Sequence, residues 1–118
     1  MSTLKVTSIQ ATGETASRAV SGVAAAWVNF NGTGTIAIKD SVNVSSIDDD
    51  GTGDYGVNYT NNMSGTNYSP TTAAKSGAAS TVVRLDDLYA GSSDIRTFDG
   101  GSLLDSLIIA LDINGDLA

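Results

Sequence analysis

The chain of 118 residues contains no cysteine and no histidine. Disulfide frameworks, thiol nucleophiles, Ser-His-Asp triads and the usual zinc sites are therefore excluded. Basic residues are few as well: 6 Lys and Arg stand against 13 Asp and Glu, which gives a formal net charge of -7. Few and scattered basic residues in an acidic chain argue against a protein that binds the phosphate backbone of nucleic acids. We expect no nucleic-acid partner.

Bulky aromatic side chains are also scarce, with one Trp, two Phe and four Tyr. Hydrophobic residues make up 41% of the chain, but many of them are alanine. Such a chain builds only a thin core by itself, and apolar burial contributes about 25 cal/mol per Å² whichever chain supplies the partner surface. We therefore expect a homo-oligomer; the alternative is a small monomeric sandwich.

The sequence carries no visible signal for export or membrane insertion. Met1 is followed by Ser, Thr, Leu and Lys rather than by a charged start and an apolar core. The longest apolar stretch near the C-terminus, residues 107 to 111, is far shorter than the ~20 residues of a membrane helix. We expect synthesis in a cytoplasm and no membrane insertion.

The first 25 residues are rich in Ser, Thr, Ala and Gly, with a few spaced apolar residues. This composition favours an extended arm. A helix from Glu14 to Ala26 is the alternative, and Gly22 together with the Ser and Thr content weakens it. We predict an N-terminal arm over residues 1–25 and a head domain over residues 26–118.

The segment from 26 to 60 predicts four antiparallel strands in a meander. The run AWVNF alternates, with Val28 and Phe30 on one side and Trp27 and Asn29 on the other. An Asn-Gly pair then turns the chain, and the acidic, glycine-rich run DDDGTGD forms a later turn. We expect the core to include six residues of this segment: Trp27, Phe30, Ile36, Ile38, Val57 and Tyr59.

The remainder of the chain predicts one long loop and further strands. Residues 61 to 79 hold the only proline and no large aliphatic cluster, which indicates a loop with at most a short edge strand near Tyr68. The run from 102 to 113 fits a helix, or else a buried strand from Leu107 to Ile113, and the β-branched content together with the closing Asn-Gly pair favours the strand. We predict an all-β fold, an antiparallel, jelly-roll-like β-sandwich.

Oxygen-rich runs raise the question of a metal or catalytic site. The acidic run before Gly51 matches the opening of a calcium loop, but the closing position falls on Val57, which cannot ligate. Residues 112 to 116 repeat the pattern with too little chain after them to complete a loop. Paired carboxylates for sugar hydrolysis are disfavoured, because the only glutamate, Glu14, lies in the arm. We predict no metal, no cofactor and no enzymatic activity.

Carbohydrate binding is the other chemistry that these residues allow. An aromatic ring beside Asn or Asp side chains binds sugars by stacking and hydrogen bonding. Trp27 and Phe30 are expected in the core, so Tyr68, in the predicted loop, is the better surface candidate.

The stretch AAWVNFNGTGTIAIKDSVNVSSIDDDGTGDYGVNYT, residues 25–60, resembles a segment near the C-terminal end of many bacteriophage tail-fibre and tail-tip proteins. The shared pattern is a Trp-Val-Asn-Phe strand, an Asn-Gly-Thr-Gly turn, an Asn-Val-Ser-Ser-Ile strand, a Gly-Thr-Gly-Asp-Tyr turn and a Val-Asn-Tyr strand. The ending GDLA, residues 115–118, resembles the terminus of such fibres, and STLKVTSIQ is similar to their lead-in. The motif contains no catalytic residues to carry over.

The resemblance implies a virion structural protein on the exterior of a tail or head, made in the host cytoplasm. We expect a homotrimeric fibre or spike whose arm docks onto other virion proteins and whose head adheres to a host-surface glycan or protein. The alternative is a capsid decoration protein that cements the head, and a polysaccharide depolymerase fragment is a third interpretation. The candidate receptor-facing residues are Asp48, Asp49, Asp50, Asp54, Asn67 and Tyr68.

Overall fold

The computed structural model of the chain describes all residues except 11, 14, 17, 20–22 and 78–80. The described residues form an all-β fold, and none of them belongs to a helix that could cross a membrane. The described strands are β1 (Ser8–Ile9), β2 (Arg18–Ala19), β3 (Ala24–Asn31), β4 (Ala37–Val42), β5 (Val44–Gly51), β6 (Asp54–Tyr59), β7 (Ser69–Lys75), β8 (Thr81–Leu88), β9 (Ser92–Asp99), β10 (Ser102–Leu103) and β11 (Ile108–Asn114).

Two antiparallel sheets pack face to face around one core. The first sheet has the strand order β4-β3-β11-β7. The second has the order β5-β6-β9-β8, with β10 extending the β6 side of β9. Strands β1 and β2 pair separately as a short ribbon within residues 1–25, the predicted arm. The prediction of an all-β, antiparallel two-sheet fold is confirmed. The alternative helix from Glu14 to Ala26 falls partly on residues outside the described ones, and its described part holds β2 and the start of β3.

The four strands predicted between residues 26 and 60 are present, but they do not form one meandering sheet. Strands β3 and β4 pair in the first sheet, and β5 and β6 pair in the second. Asn43 makes the corner between them with a φ of 57°, in the left-handed region. Its Oδ1 accepts a hydrogen bond from Asn61 N at 2.7 Å, and its Nδ2 donates to Ala25 O at 3.1 Å. These bonds hold the chain where it passes from one sheet to the other.

The strand order differs from that of a jelly roll. In a jelly roll, successive strands mostly alternate between the two sheets, whereas here the hairpins β3–β4, β5–β6 and β8–β9 each stay within one sheet. Strands β7, β8, β9 and β11 form a Greek key with the spatial order β11-β7-β8-β9, in which β7 packs against β8 across the sheet boundary. The jelly-roll-like prediction is therefore wrong, although two packed antiparallel sheets are present.

The core is centred on Tyr55. This side chain is fully buried, and its ring meets that of Phe30 edge-on with centroids 5.3 Å apart. The core predictions for Phe30, Val57 and Tyr59 are confirmed, and Ile36 packs against the core while partly buried. The buried hydrophobic residues are Ala26, Val28, Phe30, Tyr55, Val57, Tyr59, Met63, Tyr68, Ile95, Ile109, Leu111 and Ile113.

Two predicted core residues lie outside it. Trp27 alternates with the buried Val28 along β3, so it projects from the outer face of the first sheet and is partly exposed. Ile38 lies on the edge strand β4 and is 37% exposed. Size alone predicts a buried tryptophan, whereas the two-residue alternation of a strand decides which side it faces.

The segment from 61 to 79 is not one long loop. Strand β7 occupies seven of its residues and pairs with β11 along its whole length. Residues 78 and 79 lie outside the described ones. The predicted strand from Leu107 to Ile113 is confirmed, since β11 (Ile108–Asn114) is a central strand between β3 and β7. Threonine, alanine and proline give β7 too weak a strand pattern to be recognised alone.

The connections gather at two ends of the sandwich. The distal end carries residues 32–36, 52–53 and 100–107, and Gly32 N donates to Ser106 O at 2.9 Å there. The arm end carries residues 60–68 and 89–91, the entry of the arm and the C-terminus, where Ala118 N donates to Asn62 O at 3.0 Å.

Gly32 gives a stability prediction. A Cβ at this position would lie 2.8 Å from Cζ of Tyr55 and 2.7 Å from Cδ1 of Ile109. We expect Gly32→Ala to lower the free energy of unfolding by about 1–3 kcal/mol, because the buried ring and Ile109 must give way. The matched control is Gly65→Ala, which adds a methyl group where no atom lies within 4 Å. Urea denaturation measures both variants, and equal unfolding midpoints would contradict the prediction.

Candidate functional site

A shallow groove crosses the outer face of the first sheet. Strand register sets two parallel rows along it: Asp112 lies between Trp27 and Thr71, and Ala110 lies between Asn29 and Ala73. The groove has a volume of about 420 Å³, within the range of small-ligand sites. We call it the Trp27 groove, defined by Trp27, Asn29, Thr71, Ala73, Ala110 and Asp112.

Alanine residues create the depression. Ala73 and Ala110 are paired neighbours on β7 and β11, so only methyl groups cover the backbone there. Trp27, on β3, lines the groove beside these alanines. Three adjacent strands span about 10 Å, so the groove has room for one ring-sized ligand.

Asn29 supplies an unused acceptor. Its Oδ1 is shielded from solvent and accepts no hydrogen bond from the part of the chain that the structure describes. A β-bulge against β4 lies at the Asn29–Phe30 step, and bulges re-aim side chains out of the regular ladder. A buried acceptor without a donor costs roughly 1–3 kcal/mol.

The groove offers acceptors. Asp112 is exposed, and the described residues that line the groove include no Lys or Arg, while Lys75 lies on the same face of β7, two residues beyond Ala73. Asp40 lies opposite Asn29 on β4 and adds a second carboxylate near the margin. A carboxylate can only accept hydrogen bonds. The exposed carboxylate of Asp112 therefore suits a ligand that donates hydrogen bonds.

The acidic residues predicted to form a receptor-facing turn lie mostly on a strand. Asp48, Asp49 and Asp50 belong to β5, and only Thr52 and Gly53 form the turn. Gly53 has a φ of 63°, which permits a two-residue connection. Asp54 opens β6 and lies 3.3 Å from Arg96 in an ion pair. The prediction that the acidic run is itself the turn is wrong, because the tight glycine turn leaves the strand free to continue.

Asn67 and Tyr68 lie at the arm end, away from the turn beside Asp54 at the distal end. Tyr68 is only 8% exposed, and its hydroxyl lies 2.8 Å from Tyr89 O and 3.0 Å from Ser92 O. Burial, followed by the hydrogen bond with Tyr59, raises the pKa of Tyr68. The prediction of Tyr68 as a surface residue is wrong, whereas Asn67 is exposed. The structure does not bring the predicted receptor residues together.

Carboxylates crowd the outer face of the second sheet. A Cβ at Gly56 would lie 3.5 Å from Asp48 Cβ, Asp50 Oδ2 and Asp94 Oδ1. No group of three or more acidic side chains among the described residues is arranged to hold a metal ion. Arg96 offsets part of the charge through its ion pair with Asp54. These close carboxylates repel one another, so their charges are unfavourable on this face.

Comparison with known proteins found no similar protein. No protein family, curated protein or solved structure matches the chain. The virion interpretation therefore draws on the resemblance of residues 25–60 and on the geometry of the described residues.

Sequence reasoning missed the Trp27 groove. The alternation of AWVNF placed Trp27 and Asn29 on one side of a strand, which was the available signal. The pairing of β11 with β3 and with β7 brings Thr71 and Asp112 beside Trp27 and Asn29. This strand order cannot be read from any local sequence pattern.

Asp94 gives a pH-dependent prediction. Burial raises its pKa, and the charges of Asp50 and Asp87 add to the effect. A carboxyl group with a raised pKa in the folded state lowers folding stability as the pH rises through that pKa. We therefore expect Asp94→Asn to be more stable than the wild type at pH 7 and to lose this advantage below about pH 4, where the unfolded chain is also protonated.

Thermal unfolding at several pH values measures this effect. The control is Asp116→Asn, at an exposed aspartate near the C-terminus, which should not reproduce the stabilisation. A less stable Asp94→Asn variant at neutral pH would show that the carboxylate is favourable where it stands.

Proposed function

We propose that the chain is a bacteriophage virion protein, a short trimeric fibre or spike whose head adheres to the host surface. The observation that carries the proposal is the Trp27 groove, a recessed, ligand-sized surface on the outer face of the first sheet. Adhesion needs a binding surface and no chemical step, and the groove has the size for one.

The residues that resemble phage fibre segments form strands β3 to β6 and their turns. Gly34 and Gly53, from its two glycine turns, have φ values of 60° and 63°. Tyr55, which ends the second turn motif, is the centre of the core. The shared residues therefore have structural reasons to occur together, which supports a common head fold and leaves the binding residues to be found elsewhere.

The arm supports docking onto another virion protein. Leu4 is 84% exposed, Val6 43% and Ile9 45%. Covering such apolar side chains contributes about 25 cal/mol per Å². An arm with uncovered apolar residues suits attachment to a partner on the exterior of a tail.

An apolar row on the second sheet supports trimerisation. Strand register aligns Val82 with Phe98 and Phe98 with Leu103. Val82 is 59% exposed and Leu103 43%. Arg84 lies over the Phe98 ring, 5.4 Å from its centroid, at the margin of the row. Neighbouring copies would bury this row around a threefold axis.

A substitution that introduces a charge into this apolar row tests whether the chain forms a trimer. We expect the wild type to sediment at three times the monomer mass and Val82→Asp to sediment as a monomer, because a buried unpaired carboxylate is strongly disfavoured. The matched control is Val42→Asp, on the edge strand β4 of the first sheet, which should remain trimeric. A stably folded wild-type monomer at micromolar concentration would contradict the trimer.

Adhesion is tested on the phage particles that contain the chain. We expect antibody labelling to place the protein at the tail and an excess of soluble protein to block adsorption of the phage to its host in a saturable manner. Labelling over the capsid, with heat-sensitive capsids when the protein is omitted, would contradict adhesion and identify a decoration protein. Release of oligosaccharide from host envelopes would instead identify a depolymerase.

A further inference from the structure

We propose that Asn114 is a site of spontaneous modification, at which the backbone nitrogen of Gly115 attacks the side-chain amide and releases ammonia. The inference concerns the chemical fate of the chain at the arm end, beyond the proposed adhesion. It stands whether or not the head binds a host surface.

The chemistry needs only an asparagine, the residue after it and water. The backbone nitrogen of the second residue gives up its proton and forms a bond to Cγ, while the bond from Cγ to Nδ2 breaks and the amide nitrogen leaves as ammonia. Water then opens the cyclic imide at either carbonyl, which yields aspartate or an isoaspartate whose main chain runs through Cβ and Cγ. A glycine in the second position leaves the attacking nitrogen unshielded, because it has no Cβ.

The chain contains two Asn-Gly pairs in equivalent local positions. Asn31 is the last residue of β3 and Asn114 is the last residue of β11, and in both cases the glycine begins the connection that follows. Sequence and strand position therefore predict equal reactivity at the two pairs. Any difference between them comes from the packing around each pair.

At Asn31, the fold holds both reacting groups. Its Oδ1 accepts hydrogen bonds from Thr33 N at 3.0 Å and from Thr33 Oγ1 at 2.7 Å. Gly32 is buried, and its N donates to Ser106 O at 2.9 Å. The Tyr55 hydroxyl lies 3.0 Å from Gly32 O. Rotation of this peptide toward the side chain would break bonds next to the core, so the pair is protected.

At Asn114, hydrogen bonds to the described residues restrain neither reacting group. The side chain is half-buried and forms no hydrogen bond with any of these residues. Gly115 is half-buried as well, and outside the strand ladders its N donates to no backbone carbonyl of the described chain. The peptide between the two residues can therefore turn toward the amide without the loss of such a bond.

The residues after Gly115 are the part of the head that the modification changes. Residues 116–118 hold residues 62–64 through two backbone hydrogen bonds of 2.8 and 3.0 Å. Leu117 also forms a β-bridge with Met63, which is 2% exposed. An isoaspartate lengthens the main chain by one atom, so these contacts lose their register. Modification of Asn114 therefore loosens the arm end of the head.

Peptide mass mapping of the full chain, incubated in mildly alkaline buffer, measures the conversion at each pair. We expect Asn114 to convert at least about tenfold faster than Asn31 in the folded protein, because contacts near a chain end open more readily than contacts of the core. In concentrated urea the packing is lost, and the two pairs should convert at similar rates. Equal rates in the folded protein, or faster conversion of Asn31, would overturn the inference.

Two matched variants assign the isoaspartate, which is detected by labelling with an isoaspartyl methyltransferase. Asn114→Gln should remove most of the label, because the longer glutamine side chain forms a cyclic imide far more slowly. Asn31→Gln is the control and should accumulate the label as the wild type does. Label that persists in Asn114→Gln would place the reaction elsewhere and contradict the assignment. Circular dichroism verifies that both variants are folded.

Urea denaturation of incubated protein tests the effect on the arm end. We expect incubated wild type to unfold at a lower urea concentration than fresh protein, whereas Asn114→Gln should keep its midpoint. The variant Asn114→Asp adds the charge without lengthening the main chain, so it should also keep its midpoint. Wild type that accumulates isoaspartate and retains its midpoint would show that the C-terminal residues do not hold the arm end. Equal loss in Asn114→Asp would assign the effect to charge and contradict the lengthening.

Discussion

The buried hydroxyl of Tyr55 connects the second sheet to the distal loops. It lies 3.0 Å from Gly32 O and 2.9 Å from Asp105 Oδ1, and that carboxylate also accepts from Gly53 N at 2.8 Å. Burial, reinforced by the bond to Asp105, raises the pKa of Tyr55, so the phenol remains a donor. Tyr55 and Asp105 together thereby connect both hairpin turns to the crossing from β10 to β11. The pairing of β3 with β11, and hence the two rows of the groove, depends on that crossing.

Much of the fold could be predicted because its determinants are local. The alternation of Val28 and Phe30, or of Tyr55, Val57 and Tyr59, gives strand and buried side together. The sheet change at Asn43 could not be predicted, because an asparagine in the left-handed region is decided by distant partners on residues 25 and 61. The length of strand β7 was underestimated for the same reason: only a short edge strand near Tyr68 was allowed for, whereas pairing with β11 extends it over Ser69–Lys75.

The candidate site was harder to predict than the fold. Trp27 illustrates why: its size predicts burial, yet its position between two inward-facing residues of β3 places it outside. The opposite error occurs at Tyr68, whose loop composition predicts exposure although its ring packs edge-on against Tyr59 with centroids 6.1 Å apart. In both cases the long-range packing of two sheets overrides residue type and local composition. A site made from three paired strands is visible only when their order is known.

The acidic run of β5 has a consequence for the behaviour of many copies together. Strands β4, β5, β7 and β8 lie at sheet edges, where unpaired backbone groups can template fibrils between molecules. A bulge beside Lys39 interrupts β4, Pro70 removes a donor from β7, and Asp48–Asp50 place three adjacent negative charges on β5. Mutual repulsion of these carboxylates keeps β5 edges apart when the protein accumulates at high density.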